Sequence, residues 1–234
     1  MPLLQSLLLD GLWDKEDDVL QILSERSPRL QDLEVIFNCW EVTKRTLRDL
    51  SAVQSLKSLK LDGCCVLLVI DDVSIDRLTQ RLAHLRLLSI QVEFKGSPQL
   101  THNSLLAVLR NCNTIEELHL SIDITNFDMA SPLQLERPST SLRRLTLACG
   151  PPQEHLRRAA ENLVAWCPNV TEPRIMEQRY LETYEPLEDE HGNTLEYDEN
   201  KTEELFNEGA ALELTQLFCM LQCLRQSDNI TGTS

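Results

Sequence analysis

The sequence lacks most of what catalysis, transport or nucleic-acid binding requires. Aromatic residues make up only 5% of its 234 positions, so a core has to be built from aliphatic side chains, chiefly leucine. The seven glycines stand singly, with no G-x-G-x-x-G or G-x-x-x-x-G-K run to cradle phosphates. There is no G-x-S-x-G elbow and no H-E-x-x-H pair. The longest apolar run, Cys64 to Ile70, is seven residues, against the roughly 20 that a bilayer-spanning helix needs. The N-terminal stretch has neither the basic start nor the small-residue cleavage site of a secretory signal. Asn169, Asn200 and Asn229 each sit in an N-x-T triplet; without such a signal these are chance matches. A cytoplasmic or nuclear protein with no membrane contact is expected.

Cysteine and positive charge are limited in kind or in number. The eight cysteines (Cys39, Cys64, Cys65, Cys112, Cys149, Cys167, Cys219 and Cys223) form no C-x-x-C pair and no Cys/His cluster of zinc-finger spacing. Free, buried thiols in a reducing compartment are expected, rather than a disulfide framework or a metal site. Lysine and arginine number 22 against 37 acids, for a net charge of −15. Residues 1–171 carry 22 acids and 18 bases, whereas residues 172–234 carry 15 and 4. Nothing in that balance offers the clustered cations that a phosphate backbone demands.

What the chain does have is a recurring L-x-x-L-x-L frame. It runs Leu4-x-x-Leu7-x-Leu9, Leu30-x-x-Leu33-x-Val35, Leu56-x-x-Leu59-x-Leu61, Leu85-x-x-Leu88-x-Ile90, Ile115-x-x-Leu118-x-Leu120 and Leu142-x-x-Leu145-x-Leu147. The middle positions lie 26, 26, 29, 30 and 27 residues apart, and a degenerate seventh copy, Val170-x-x-Pro173-x-Ile175, follows 28 residues on. Such steady spacing is the mark of a repeat architecture. In a short strand alternate residues face opposite ways, so the last two apolar positions of the frame point inward together. Between strands the apolar period becomes helical: Leu105, Val108, Leu109 and Cys112; Leu156, Ala160, Leu163, Val164 and Cys167; Ile75, Leu78, Leu82 and Leu85. Asp14, Thr43, Ser74 and Thr101 stand where helix N-caps are wanted. The expected fold is an α/β solenoid of about six to seven repeats, curved, with parallel strands on the concave face and helices on the convex face.

The stretch Leu100-Thr-His-Asn-Ser-Leu105-Leu-Ala-Val-Leu-Arg-Asn-Cys112-Asn-Thr-Ile115-Glu-Glu-Leu118-His-Leu120 resembles a leucine-rich repeat of the cysteine-containing subclass. Ala165-Trp-Cys167-Pro-Asn-Val170 places a cysteine at the same offset, and Ser27-Pro-Arg-Leu30 puts a serine there. Units of this kind are similar to those of F-box/leucine-rich-repeat proteins, the irregular fungal ones in particular. The resemblance spans roughly residues 3–175. It implies a substrate-binding role within a ubiquitin ligase, with the adaptor held by an N-terminal F-box. The first strand begins almost at Met1, so adaptor contact is expected only through a missing N-terminal segment.

Three regions are expected: the leucine-rich-repeat solenoid over 1–175, a partly disordered acidic linker over 176–201, and an amphipathic helix over 202–226 that caps the last repeat. Cys219 and Cys223, four apart on that helix, read as core thiols rather than a metal pair.

Function is expected to be protein binding, with no catalytic residue, cofactor or metal. Residues flanking the inward strand positions should point out from the concave sheet, and the partner is expected to meet Asp32, Glu34, Ile36, Lys60, Asp62, Ser89, Gln91, Glu117, His119, Ser121, Arg144 and Thr146 there. Their mixed charge and the want of any recurring Arg or aromatic column point to a protein partner rather than nucleic acid. A Ser/His/acid grouping around His119, Glu117 and Ser121 is imaginable, but an open sheet supplies no oxyanion hole. The alternative class is a GTPase-regulating repeat protein, since Ran GTPase-activating proteins also join such repeats to an acidic tail.

Overall fold

The computed structural model describes residues 4–11, 16–38, 41–64, 67–92, 100–122, 137–148, 156–176 and 215–222. Strands and helices alternate: β1 (Ser6–Gly11), α1 (Glu16–Arg26), β2 (Asp32–Asn38), β3 (Glu41–Thr43), α2 (Lys44–Leu50), β4 (Ser58–Cys64), β5 (Leu67–Val69), α3 (Asp72–Arg81), β6 (Leu87–Val92), α4 (His102–Asn111), β7 (Glu117–Ser121), β8 (Arg144–Ala148), α5 (Leu156–Trp166) and β9 (Glu172–Met176). Seven strands make one open parallel sheet in the order β1-β2-β4-β6-β7-β8-β9, so spatial order follows chain order. This α/β arrangement is compatible with a curved solenoid.

The register follows the leucine frame. Leu7, Leu33, Leu59, Leu88, Leu118, Leu145 and Pro173 are partners in succession, as are Leu9, Val35, Leu61, Ile90, Leu120, Leu147 and Ile175 for the pairings the ladder includes. A slip of one residue would turn every leucine to the wrong face, so burial holds the register. Leu59, Leu88, Leu118 and Leu145 are fully buried, and Leu30, Leu56, Leu85, Ile115 and Leu142 turn in behind them. Helix residues complete the same core on one side of the sheet: Leu47 and Leu50 from α2, Ile75 and Leu78 from α3, Leu105 and Val108 from α4, Leu163 from α5. Each buried leucine contributes on the order of 1.5–3 kcal/mol.

Backbone polarity is satisfied by a ladder that crosses the units. The carbonyls of Gln5, Gln31, Lys57, Arg86, Glu116 and Arg143 each accept two N–H groups from the next unit at 2.7–3.2 Å. Where the chain returns from helix to strand, the N–H groups of Leu30, Leu56, Leu85, Ile115 and Val170 donate to residues 27, 53, 82, 112 and 167. That turn buries Cys112 and Cys167, both free. Burial pushes each thiol up to about 12, because a thiolate there would lose its hydration.

Thr43 caps α2 through a reciprocal box with Thr46, and Thr101 caps α4. The cap of α3 is Asp71, not Ser74 as the sequence suggested: its carboxylate accepts from the Ser74 backbone N–H at 2.9 Å and from Ser74 Oγ at 2.6 Å. Ser74 is the third helical residue, and the carboxylate ahead of it is the stronger acceptor at an N-terminus. Asp14 lies outside the described residues. The short parallel pair β3–β5 was not anticipated; it places Glu41–Thr43 beside Leu67–Val69, within the Cys64–Ile70 apolar run.

Residues 215–222 are helical and lie against the last unit. Phe218 is fully buried in the common core, with Leu217 and Leu221 packed around it. Gln222 Nε2 donates to the Val170 carbonyl at 2.7 Å and to that of Pro168 at 3.2 Å. Cys219 is exposed rather than a core thiol, because the inward side of this turn is taken by Phe218 and Gln222. The remainder of the expected 202–226 helix, including Cys223, and most of the expected 176–201 linker lie outside the described residues.

Candidate functional site: the open face of the sheet

Among the described residues the helices pack on one face of the sheet and leave the other uncovered. Alternation along each strand sends the residues between and beside the leucines to that face. Parallel pairing then aligns them in rows. One row is Ser6, Asp32, Ser58, Leu87, Glu117, Arg144 and Glu172; the next is Leu8, Glu34, Lys60, Ser89, His119, Thr146 and Arg174. All twelve residues singled out from the sequence lie in strands at these or the adjacent row positions.

The structure draws four of them into one network across β6, β7 and β8. His119 Nε2 stands 3.0 Å from Glu117 Oε1, and Gln91 Nε2 stands 2.8 Å from His119 Nδ1. Arg144 pairs with the other oxygen of Glu117. A neutral imidazole with its proton on Nε2 satisfies both contacts at once, donating to Glu117 and accepting from Gln91. Burial holds His119 below its ordinary pKa, helped by Arg144 and Lys60 and opposed by the Glu117 carboxylate. Lys60 and Glu34 form a separate pair, 3.4 Å apart, between β4 and β2.

The other members are not gathered in the same way. Asp32 and Asp62 are exposed and Ile36 is half-buried. Ser89, Ser121 and Thr146 lie in the correct rows yet are only 5–7% exposed, since short side chains sink beneath neighbours such as His119, Gln91 and Arg144. Two residues that the sequence reading passed over extend the face: Glu172 and Arg174 of β9 are both exposed, opposite Arg144 and Thr146. Their signal was available, because they flank Pro173 in the seventh copy of the frame. At the lip of the sheet Arg86 clamps Glu116, Nε donating to Oε1 at 2.9 Å and Nη2 to Oε2 at 3.0 Å.

Chemically, the described residues of this face offer charge and hydrogen bonds. Among the described residues Ser121 makes no hydrogen bond to His119, and no group of three or more His, Cys, Asp or Glu is placed to hold a metal. Glu117 already serves two partners, one on each carboxylate oxygen. Among the described residues no helix is long and apolar enough to cross a membrane.

No family model matches the chain, and no curated protein matches it. Among solved structures, one described as the crystal structure of the Rad7 and Elc1 complex in yeast is similar at 18% identity with a TM-score of 0.41. That alignment covers 72% of this chain and 41% of the other.

Proposed function

We propose that the chain is a protein-binding scaffold of the leucine-rich-repeat type, and that its open sheet face holds the partner. The observation that carries this reading is the Gln91–His119–Glu117–Arg144 network: polar side chains from three strands, held in fixed positions on an uncovered face. Side chains already ordered before binding lose less entropy when a partner arrives. Arginine over a buried floor is a frequent hot spot in protein interfaces. As the inner surface of a curved solenoid this face would be concave and would grip a convex partner. The leucine frame and its cysteine slot support assignment to the cysteine-containing subclass. By that resemblance the scaffold is the substrate-recognition region of an F-box-like ubiquitin-ligase receptor acting in the cytoplasm or nucleus. The face binds and does not catalyse.

The test is affinity purification with mass spectrometry, comparing the wild-type chain with an Arg144→Glu, Lys60→Glu variant. A set of proteins bound by wild type and lost with the variant is expected. Identical protein sets from the two chains would overturn the assignment of the face.

A further inference from the structure

The helix-covered side carries a second surface with a different chemistry. Helices α2 and α3 lie side by side and bound a groove of about 580 Å³. Its floor is Leu47 and Leu78, both fully buried, and its walls carry Lys44, Arg45 and Arg48 from α2 with Arg77 and Arg81 from α3. The spacing on α3 (74, 77, 78 and 81) places these residues along one helical stripe.

Helix α3 sorts its charges by side. Asp72 accepts from the Thr101 N–H at 2.8 Å, from Thr101 Oγ1 at 2.7 Å and from Ser104 Oγ at 2.5 Å. Asp76 accepts from Asn111 Nδ2 at 2.9 Å. Asp72 is thus committed to the α4 side, Asp76 is shared between Asn111 of α4 and Gln80 of its own helix, and the bases are left to the α2 side. Beside the groove, among the described residues, Asp71 takes Lys44 at 2.5 Å, and Asp49 lies 3.7 Å from Arg45 and 3.3 Å from Arg48. Arg77 and Arg81 are exposed and make no ion pair among the described residues. Among the described residues the groove's lining therefore carries five bases and no acid, in a chain whose total is −15.

We infer that the α2–α3 groove is a docking site for a short acidic segment of a partner protein, its Asp and Glu carboxylates held by Arg77, Arg81 and Arg48. Guanidinium forks match carboxylates in bidentate geometry. A ten-residue helix is about 15 Å long, room for about four or five extended peptide residues. A nucleic-acid strand fits less well, because beyond these few contacts its phosphates meet a strongly acidic protein. The inference rests on the scaffold reading but uses the opposite side of the sheet, so the two fail separately: the open face is tested at Arg144 and Lys60, the groove at Arg77 and Arg81.

The probe is a fluorescein-labelled octapeptide of alternating Asp and Glu, titrated with the full chain at low salt and read by fluorescence anisotropy. Binding about tenfold weaker in Arg77→Glu/Arg81→Glu is expected, with a smaller loss in Arg77→Gln/Arg81→Gln and further weakening as salt is raised. Thermal unfolding of each variant, expected to match wild type, separates a binding loss from a folding loss. Equal binding by the reversed-charge variant, or no binding by wild type, overturns the inference. So does an eight-nucleotide single strand of DNA that binds more tightly than the peptide. A Glu188→Gln/Asp189→Asn/Glu190→Gln chain that bound the peptide about tenfold more tightly would assign the groove to the chain's own acidic segment and overturn the partner assignment.

Discussion

The two ends of the sheet begin from the same frame and finish differently. At the C-terminal end the residues 215–222 lie over the last unit: Phe218 is fully buried, Gln222 occupies the Pro168 and Val170 carbonyls, and Val170 itself is buried. At the N-terminal end Leu4 is 45% exposed and Leu8 58%, while Leu7 and Leu9 are only partly buried. Yet Leu4-x-x-Leu7-x-Leu9 is as regular a copy as Leu56-x-x-Leu59-x-Leu61, whose three leucines are fully buried. The frame therefore states which way a side chain turns, and the neighbouring unit decides whether it is buried. In a stacked architecture the energy resides in the interfaces as much as in the units.

The largest effect expected from that difference is in the middle of the stack. Leu118→Asp places an unpaired charge in the core and is expected to abolish folding of the central units. Leu118→Ala is expected to cost about 2–5 kcal/mol, whereas the equivalent Leu7→Ala, already half open to water, costs about 1 kcal/mol. Urea denaturation of the two alanine variants measures this directly. Equal losses would mean that β1 is as well covered as β7.

Next in size is the C-terminal contact. Phe218→Ala is expected to remove about 3 kcal/mol of packing, and Gln222→Ala about 1–2 kcal/mol by leaving the Val170 carbonyl without its donor. Hydrogen exchange is the sharper measurement. Amides of β9 should lose protection in Phe218→Ala, and those of β4 should not change. Uniform loss along the sheet would show that the helix stabilises the whole stack rather than its last unit.

Within the stack, charge also links neighbours. Lys44 and the Ser74 hydroxyl and N–H hold the Asp71 carboxyl at about 2, against an ordinary 3.8. Because the folded value lies below the unfolded one, this contribution is complete above pH 3.8 and is lost as the pH falls through about 2. Asp71→Asn should flatten the acid limb of the stability curve in that window while leaving its neutral limb parallel to wild type. An unaltered acid limb would show that the pair is solvated and contributes nothing.

How much of this was legible in the sequence depends on the range of the physics involved. Register and inward face were legible because the same L-x-x-L-x-L frame recurs every 26–30 residues; Leu33, Leu59 and Leu88 hold the same place in that frame and meet for that reason. Thr43 and Thr101 were legible as caps because capping is local, and Asp71 was missed because two capping-competent residues three apart compete for one helix end. Lateral effects were not legible. The burial of Ser89, Ser121 and Thr146 depends on how far His119, Gln91 and Arg144 lean across from adjacent strands. The exposure of Cys219 depends on which side of its helix meets the last unit. The cationic groove arises only when α2 and α3 are set side by side.

The smallest effect on stability, and the one that bears most directly on the comparison of the two ends, is expected at Leu8. This residue lies on the open face of β1, opposite Glu34 of β2. Strand β1 pairs with β2 on one side, and no strand pairs with its other edge among the described residues. Leu8→Lys removes little buried surface and sets an ammonium beside Glu34, the arrangement that Lys60 already makes from β4. Stability is therefore expected to change by no more than about 0.5 kcal/mol. Self-association should respond far more, because exposed, apolar strand edges pair with other chains and a lysine at such an edge discourages it. Light scattering over a concentration series is expected to show wild type associating as concentration rises, and Leu8→Lys remaining monomeric. A wild type that stays monomeric throughout and is unaffected by the lysine would mean that the N-terminal edge is covered as effectively as the edge beneath Phe218, and the contrast between the two ends would fall.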